Sequence, residues 1–325
     1  MFSHLEQKSG LLAAFLHHVQ QTPDKTAIIY KDKTVTYYEF ARRVDQLASL
    51  LKSHYGTLFS TAKKPVLIGV KYHSKLEALY AEFAILALGA AFVPFNVDDP
   101  VNRQAFMREK SGISLMLTDH DLPWHKYDTF IARQDTFIAC NITDSFKNET
   151  VSTTTSDLNE SATDLAYVLF TSGSTAKNPK GVKRSRSALF YQIVRDYTVD
   201  LNITKKDCIL NLAIFTHDQA IVDCFAALLN GCTLCLYDFS NVEDLHFFMK
   251  KHAVTVFSSI PSMFKMIFAS IKDKNTFPKL RIVTIGGEET TKEHALLYQR
   301  TCPDSCLLVN GYGATEMSWI SSYAI

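Results

Sequence analysis

The sequence lacks an excess of charge of either sign, with 34 Lys and Arg residues against 33 Asp and Glu residues. Without a net electrostatic field, we expect neither nucleic acid nor an anionic membrane as a partner. It also lacks a membrane-spanning run, because residues 83–94, the longest apolar stretch, fall short of the roughly 20 residues that a bilayer requires. Residues 1–20 lack the cationic segment and cleavage site of a signal peptide. These absences predict a soluble, cytoplasmic protein.

The seven cysteines are an odd number and sit mostly in apolar stretches, which favours reduced thiols. Cys232 and Cys235 have the Cys-x-x-Cys spacing of zinc and redox sites. No second Cys or His pair follows at ligand spacing, so we interpret them as part of a buried strand.

Apolar residues make up 47% of the chain, enough for one large globular unit or two packed subdomains. Residues 65–72, 74–88 and 91–94 read as strand, helix and strand, and similar alternation recurs between residues 254 and 309. This pattern predicts an α/β fold with mostly parallel sheets flanked by helices. Residues 145–163 are rich in Thr, Ser, Asn and Asp, which predicts a flexible linker.

A polar loop, TSGSTAKNPKGV at residues 171–182, follows a predicted buried strand at 164–170. Gly173 permits close backbone approach to a ligand, hydroxyls and amides donate hydrogen bonds, and Lys180 adds a positive charge. The loop is not a Walker A motif, because Lys180 precedes Gly181 and Val182 rather than a Ser or Thr that opens a helix. The chemistry suits a polyphosphate, and a solvent-exposed Ser/Thr-rich loop is the alternative.

A second motif, NGYGATE at residues 310–316, follows an apolar strand, at whose carboxyl end α/β sheets bind ligands. Tyr312 offers a flat face for adenine, Thr315 a hydroxyl for the α-phosphate, and Glu316 a hard oxygen ligand for magnesium. The Gly-Gly-Glu sequence at residues 286–288 is expected to lie alongside. The alternative is a tight glycine turn with a solvated glutamate.

Asp218 lies among the apolar residues Phe215, Ala220 and Ile221, where an unpaired buried acid would be costly. A substrate ammonium would supply its partner. The alternative is a helix N-cap, a position that aspartate often occupies.

The phosphate loop resembles the TSGSTGxPKG signature of the adenylate-forming superfamily, which includes adenylation domains of nonribosomal peptide synthetases, D-alanine:carrier-protein ligases, acyl-CoA synthetases and luciferases. Ala176 replaces the usual glycine, and one extra residue precedes Pro179. Three further stretches are similar to family elements, in the family's order, and so is NGYGATE. They are TVTYYEF at 34–40, LALGAAFVP at 86–94, and FTHD at 215–218 followed by FAALLNG at 225–231.

The resemblance implies that residues 1–325 form an incomplete N-terminal core of an adenylation domain with two intertwined subdomains. Subdomain A is expected at about residues 62–184 and subdomain B at about 9–61 plus 185–325, with the active site in their crevice. The family's ribose-binding aspartate, hinge and mobile C-terminal lid have no counterpart here, so this chain alone is expected to be poorly active.

Individual roles are implied by the same resemblance, with ATP and Mg²⁺ as cofactors. The catalytic residues implied are Lys180, His217 as an aromatic gate, Thr315, and Glu316 as magnesium ligand, and for His217 a surface histidine is the alternative. Nucleotide contacts are implied for Thr171, Ser172, Gly173, Ser174, Thr175, Gly286, Gly287, Glu288, Asn310, Gly311, Tyr312 and Gly313. The amino acid would contact Asp218, Gln219, Val222, Ser258, Thr284, Trp319 and Ile320, with Gly286 and Gly311 leaving room.

The expected activity is activation of a small amino acid as its aminoacyl adenylate, for transfer to the phosphopantetheine thiol of a carrier protein. Asp218 favours this reading, since the matching family position binds the α-amino group. An acyl-CoA or aryl-CoA ligase and a non-catalytic nucleotide-binding fragment are the alternatives.

Overall fold

The computed structural model describes residues 10–62, 65–119, 129–131, 165–171 and 179–324. The chain forms two compact units, one of Met1–Ala13 with Arg42–Ala188 (unit 1) and one of Ala14–Ala41 with Leu189–Ile325 (unit 2). The predicted linker at residues 145–163 lies outside the described residues.

Helices and strands alternate through most of the described chain. The helices are α1 (Leu11–Gln21), α2 (Tyr37–Thr61), α3 (Lys75–Ala87), α4 (Val101–Ser111), α5 (Arg186–Gln192), which continues as a π-helical segment (Ile193–Asp200), α6 (Asp218–Leu229), α7 (Val242–Lys251), α8 (Pro261–Phe268) and α9 (Lys292–Thr301). The strands are β1 (Thr26–Tyr30), β2 (Lys33–Thr36), β3 (Leu67–Lys71), β4 (Ala91–Pro94), β5 (Leu115–Thr118), β6 (Thr129–Ile131), β7 (Leu165–Thr171), β8 (Lys180–Ser185), β9 (Cys208–Asn211), β10 (Thr233–Leu236), β11 (Val256–Ser259), β12 (Ile282–Gly286), β13 (Leu307–Ala314) and β14 (Ser318–Ala324).

Unit 1 contains a six-stranded sheet in the order β6-β5-β3-β4-β7-β8. Its strands run parallel except β8, which is antiparallel to β7. The predicted strand–helix–strand unit is confirmed as β3, α3 and β4. Ser74 caps α3 by accepting a hydrogen bond from the Glu77 backbone amide. Since α3 is apolar on nearly all sides, it is buried almost completely.

Unit 2 contains an eight-stranded sheet in the order β14-β13-β12-β11-β9-β10-β1-β2. The strands run parallel except for the two edge strands, β2 and β14, which are antiparallel to their neighbours. Cys232 and Cys235 are both buried, as predicted. Cys235 lies in β10, whereas Cys232 lies just before this strand. None of the helices in the described ranges is both long and apolar enough to cross a membrane.

An ion pair lies at the amino-terminal ends of the unit 2 strands. Arg281, just before β12, donates from Nε and Nη2 to the two carboxylate oxygens of Asp207, both at 2.7 Å. Burial alone would raise the pKa of Asp207, but hydrogen bonds from Arg281, the Thr204 amide and the Thr255 hydroxyl outweigh it and hold the pKa below its usual range. This buried acid is therefore ionised and matched by a cation.

Glu82 in α3 is fully buried, and no donor or acceptor among the described residues reaches either of its carboxyl oxygens. Burial raises the pKa of Glu82 well above its usual range. The folded protein therefore holds the Glu82 proton to a higher pH than the unfolded chain does. The free energy of unfolding must fall as pH rises above the unfolded pKa of about 4.3.

We predict that Glu82→Met, which conserves volume and removes the acid, raises the free energy of unfolding by about 2–4 kcal/mol at pH 7. Urea unfolding from pH 5 to pH 8 measures it, and the gain should grow with pH. Glu109→Met, at an exposed position of α4, is the control and should show no such dependence. A gain that stays constant with pH would contradict the protonated state of Glu82.

Candidate functional site

Four of the predicted site residues share one face of the unit 2 sheet, near the carboxyl ends of its strands. Ser258 of β11 pairs with Thr284 of β12, and Gly286 of β12 pairs with Gly311 of β13. Residues paired in register lie on one face, as do residues two apart along a strand. The structure therefore brings Ser258, Thr284, Gly286 and Gly311 together, although their roles remain predictions.

Two positions on this face are glycines because neighbouring atoms lie too close to leave room for a Cβ atom. A Cβ atom built at Gly286 would lie 2.4 Å from the carbonyl oxygen of Gly311. A Cβ atom at Gly311 would lie 3.1 Å from Cε2 of Trp319, so the indole ring covers Gly311. Ile320, the next residue of β14, is half-exposed. The pairing of β13 with β14 shifts by one residue between Tyr312 and Gly313, so Ile320 is the extra residue of a β-bulge between Trp319 and Ser321.

Helix α6 packs on the same face of the sheet. The Ser258 hydroxyl donates to the Asp223 carboxylate at 3.1 Å, and the Asn211 side-chain amide donates to the Ala220 carbonyl oxygen at 3.1 Å. The predicted residue Val222 is buried in this helix.

The first turn of α6 differs from the sequence expectation. His217 is exposed and occupies the N-cap position, so Asp218 is the first helical residue rather than the N-cap. Asp218 is half-exposed, and its Oδ1 atom accepts a hydrogen bond from the Gln219 amide at 2.9 Å. The full burial that the apolar neighbours of Asp218 suggested is therefore absent.

The buried acid of α6 is Asp223, which the sequence analysis missed. Its Oδ1 atom accepts three hydrogen bonds, from Tyr197 Oη at 2.6 Å, Gln219 Nε2 at 2.9 Å and Ser258 Oγ at 3.1 Å. Gln219 Nε2 also donates to Tyr197 Oη at 2.8 Å. An acid within the apolar stretch of residues 220–229 is the sequence signal that could have identified it.

The environment of Asp223 perturbs its ionisation. Burial raises the pKa of Asp223 to about 7, against the opposing effect of the hydrogen bonds from Tyr197, Gln219 and Ser258. The negative charge of Asp218 also raises this pKa. Acids with strongly shifted pKa values cluster at functional sites, so Asp223 is a candidate functional residue.

The predicted nucleotide residues of unit 2 lie at or near the same carboxyl edge. Tyr312 is 70% exposed at the end of β13, so its ring face is available to a ligand. Thr315 and Glu316 lie in the turn between β13 and β14, with Gly313 just before it. Asn310 accepts a hydrogen bond from Thr290 at 2.8 Å.

Glu288 has a structural partner that the sequence did not suggest. Its Oε2 atom accepts a hydrogen bond from the Ser262 amide at 3.0 Å, in the first turn of α8. This contact joins the loop after Gly287 to the start of α8. In this structure Glu288 therefore caps the N-terminus of α8.

In unit 1, Thr171 and Lys180 pair directly opposite each other at the ends of β7 and β8. Lys180 is exposed and starts a strand rather than a helix, in agreement with the exclusion of a Walker A motif. Ser172, Gly173, Ser174 and Thr175 lie outside the described residues.

The single exposed carboxylate of Glu316 suits a magnesium ion that takes its other ligands from a nucleotide and water. Magnesium is usually held by one or two carboxylates together with phosphate oxygens and water. Glu316 supplies one exposed carboxylate. In the described part of the chain, no group of three or more His, Cys, Asp or Glu residues could hold a metal ion by itself.

Comparison with known proteins identifies the family. The family model described as "AMP-binding enzyme" matches residues 15–325. The chain therefore belongs to the AMP-binding enzyme family.

One similar curated protein is much longer than this chain. Gramicidin S synthase 2 of Aneurinibacillus migulanus is 28% identical over 330 residues, which cover 99% of this chain and 7% of that synthase. The chain thus spans a small fraction of this relative's length.

Solved structures show the same fold. The N-terminal subdomain of Klebsiella oxytoca NpsA, in complex with 3-hydroxybenzoyl-AMSN, has a TM-score of 0.79 at 23% identity, over 97% of this chain and 76% of that one. NpsA-ThdA, an artificially fused adenylation-PCP di-domain, has a TM-score of 0.80 at 22% identity, over 98% of this chain and 60% of that one. These likenesses confirm the predicted fold of an adenylation-domain core.

We predict that Gly286→Ala forces β12 and β13 apart and lowers the free energy of unfolding by about 1–3 kcal/mol. Gly56→Ala in α2 is the matched control, because a Cβ atom there meets nothing within 4 Å. Chemical denaturation measures both variants. Equal stability of Gly286→Ala and the wild type would mean that the close approach of the two strands is not a constraint.

Proposed function

We propose that this chain is the amino acid-activating core of an adenylation domain, which joins a substrate carboxylate to the α-phosphate of ATP. The observation that supports this most is the shared sheet face of Ser258, Thr284, Gly286 and Gly311, with the start of α6 beside it. Membership of the AMP-binding enzyme family supports a nucleotide as the second substrate.

The reaction is an in-line attack of the carboxylate oxygen on the α-phosphorus, which expels pyrophosphate and leaves an aminoacyl adenylate. Such chemistry depends mainly on positioning and on neutralising charge. Asp218 pairs with the α-ammonium and orients the carboxylate. His217, adjacent to it, is the proposed aromatic gate.

The adenine ring stacks on Tyr312 beside the backbone of Gly286 and Gly287. Thr315 donates to the α-phosphate, and Glu316 is the residue that would hold Mg²⁺. When bound, this ion neutralises phosphate charge. Thr171 and Lys180 of unit 1 are the proposed phosphate contacts among the described residues.

The acceptor of the activated amino acid is proposed to be a phosphopantetheine thiol on a carrier protein, in the cytoplasm. This partner is suggested by the adenylation-PCP di-domain among the similar structures. Amino acid activation is favoured over acyl-CoA or aryl-CoA ligation because an aspartate that is partly exposed, as Asp218 is, suits an ammonium partner.

Calorimetry with a panel of 5′-O-(aminoacylsulfamoyl)adenosines tests the proposed function, since these compounds mimic the adenylate and need no turnover. At least one analogue should bind more tightly than ATP or the free amino acid alone. If no analogue in a panel of the common side chains binds, this is not an amino acid adenylation site.

We predict that Asp218→Asn removes the preference for the tightest aminoacyl analogue over its deamino counterpart. Asparagine keeps an acceptor for the Gln219 amide but loses the charge, so discrimination should fall by about 100-fold, near 3 kcal/mol. Glu243→Gln, an exposed change in the first turn of α7, should leave it unchanged. Undiminished preference in Asp218→Asn would instead favour the ligases that activate simple acids.

A further inference from the structure

The donors around Asp223 are already used within the protein. Gln219 Nε2 directs its two hydrogens to Tyr197 Oη and Asp223 Oδ1, and the hydroxyls of Tyr197 and Ser258 both donate to Asp223 Oδ1. In its ionised form, the form that a cation would bind, Asp223 only accepts, so these contacts fix the direction of each bond. The side-chain amide of Gln219 must therefore turn its oxygen away from Asp223.

The atoms left over are hydrogen-bond acceptors. Among the described residues, no donor reaches Asp223 Oδ2 or Gln219 Oε1. Asn211, fully buried at the end of β9, donates through Nδ2 to Ala220, and its Oδ1 atom lacks a partner in the described structure. Continuing the β9–β11 register by one residue sets Asn211 beside Ser258. Three acceptor atoms, one of them on Asp223 itself, are thus left without a donor at or near this buried carboxyl group.

The same unit shows how a buried acid is satisfied within the fold. Asp207 receives two hydrogen bonds from Arg281. No salt bridge to Asp223 occurs within the described residues, and the neighbouring Asp218 carries charge of the same sign. A buried carboxylate without a cation is costly, so a ligand that carries a cation would gain the most here.

These groups lie where the proposed function puts the substrate side chain, since Gln219 and Ser258 are among its predicted contacts. We propose that this pocket selects an amino acid whose side chain ends in an ammonium or guanidinium cation, recognised by the acceptors around Asp223. Asp218 holds the α-ammonium and Asp223 is the specificity-determining acid. The inference rests on the proposed function and replaces the small amino acid expected from the sequence.

Two isosteric pairs of aminoacylsulfamoyladenosines test it by calorimetry on the whole chain. Ornithyl and norleucyl analogues differ by an ammonium in place of a methyl group, and arginyl and citrullyl analogues differ by charge at nearly constant shape. The cationic member should bind about 100-fold more tightly in at least one pair. Comparable affinity within both pairs overturns the proposal.

Three variants assign the preference to Asp223. Asp223→Asn should reduce the ratio within the favoured pair by tenfold or more, whereas Asp304→Asn, an exposed acid paired with Lys274, should leave it intact. Ser258→Ala removes one donor but keeps the carboxylate, so the cationic preference should persist. An unchanged ratio in Asp223→Asn overturns the assignment.

The wild-type ratios decide the matter if Asp223→Asn does not fold. Failure of every analogue to bind, whatever its side chain, overturns the proposed function and this inference together. Tighter binding of neutral analogues overturns the inference alone.

Discussion

A single carboxylate oxygen, Asp223 Oδ1, organises the polar side of the unit 2 sheet. Its three hydrogen bonds come from the π-helical segment, from α6 and from β11, through Tyr197, Gln219 and Ser258. Each bond consumes a donor, so the groups that remain are acceptors. The chemistry of the candidate side-chain pocket thus follows from the orientation that this one atom imposes on its neighbours.

The unit 2 sheet has a buried acid near each end of its strands, and only one of the two acids is paired with a cation among the described residues. At the amino edge, Asp207 is matched by Arg281, and the pair ties β9 to β12. At the carboxyl edge, Asp223 has hydrogen-bond donors but no cation among the described residues. A buried acid that stabilises the fold needs a cation within the protein, whereas a buried acid that binds a ligand can take its cation from that ligand. This asymmetry agrees with the rule that α/β sheets bind ligands at the carboxyl ends of their strands.

Local patterns in the sequence predicted several elements of each sheet and only part of the site. The helix α3 and its flanking strands were identified because apolar spacing and Gly89 are local signals. Ser258, Thr284, Gly286 and Gly311 were named through a resemblance, and the strand register shows that they share one face.

What the sequence could not supply depends on distant pairing. Tyr197 and Ser258 lie 26 and 35 residues from Asp223, so no local period joins them. The partial exposure of Asp218 depends on where α6 begins, and the β-bulge that contains Ile320 depends on how β14 pairs with β13. Both are set by tertiary packing rather than by residue type.

The central claim is that the carboxyl edge of the unit 2 sheet binds an aminoacyl adenylate. A crystal structure of the chain with its tightest aminoacylsulfamoyladenosine tests this most directly. The account predicts the α-ammonium nitrogen within about 3.2 Å of an Asp218 carboxylate oxygen and the adenine ring on Tyr312 beside Gly286. Density for the ligand at any other surface, with Asp218 and Tyr312 untouched, would contradict it.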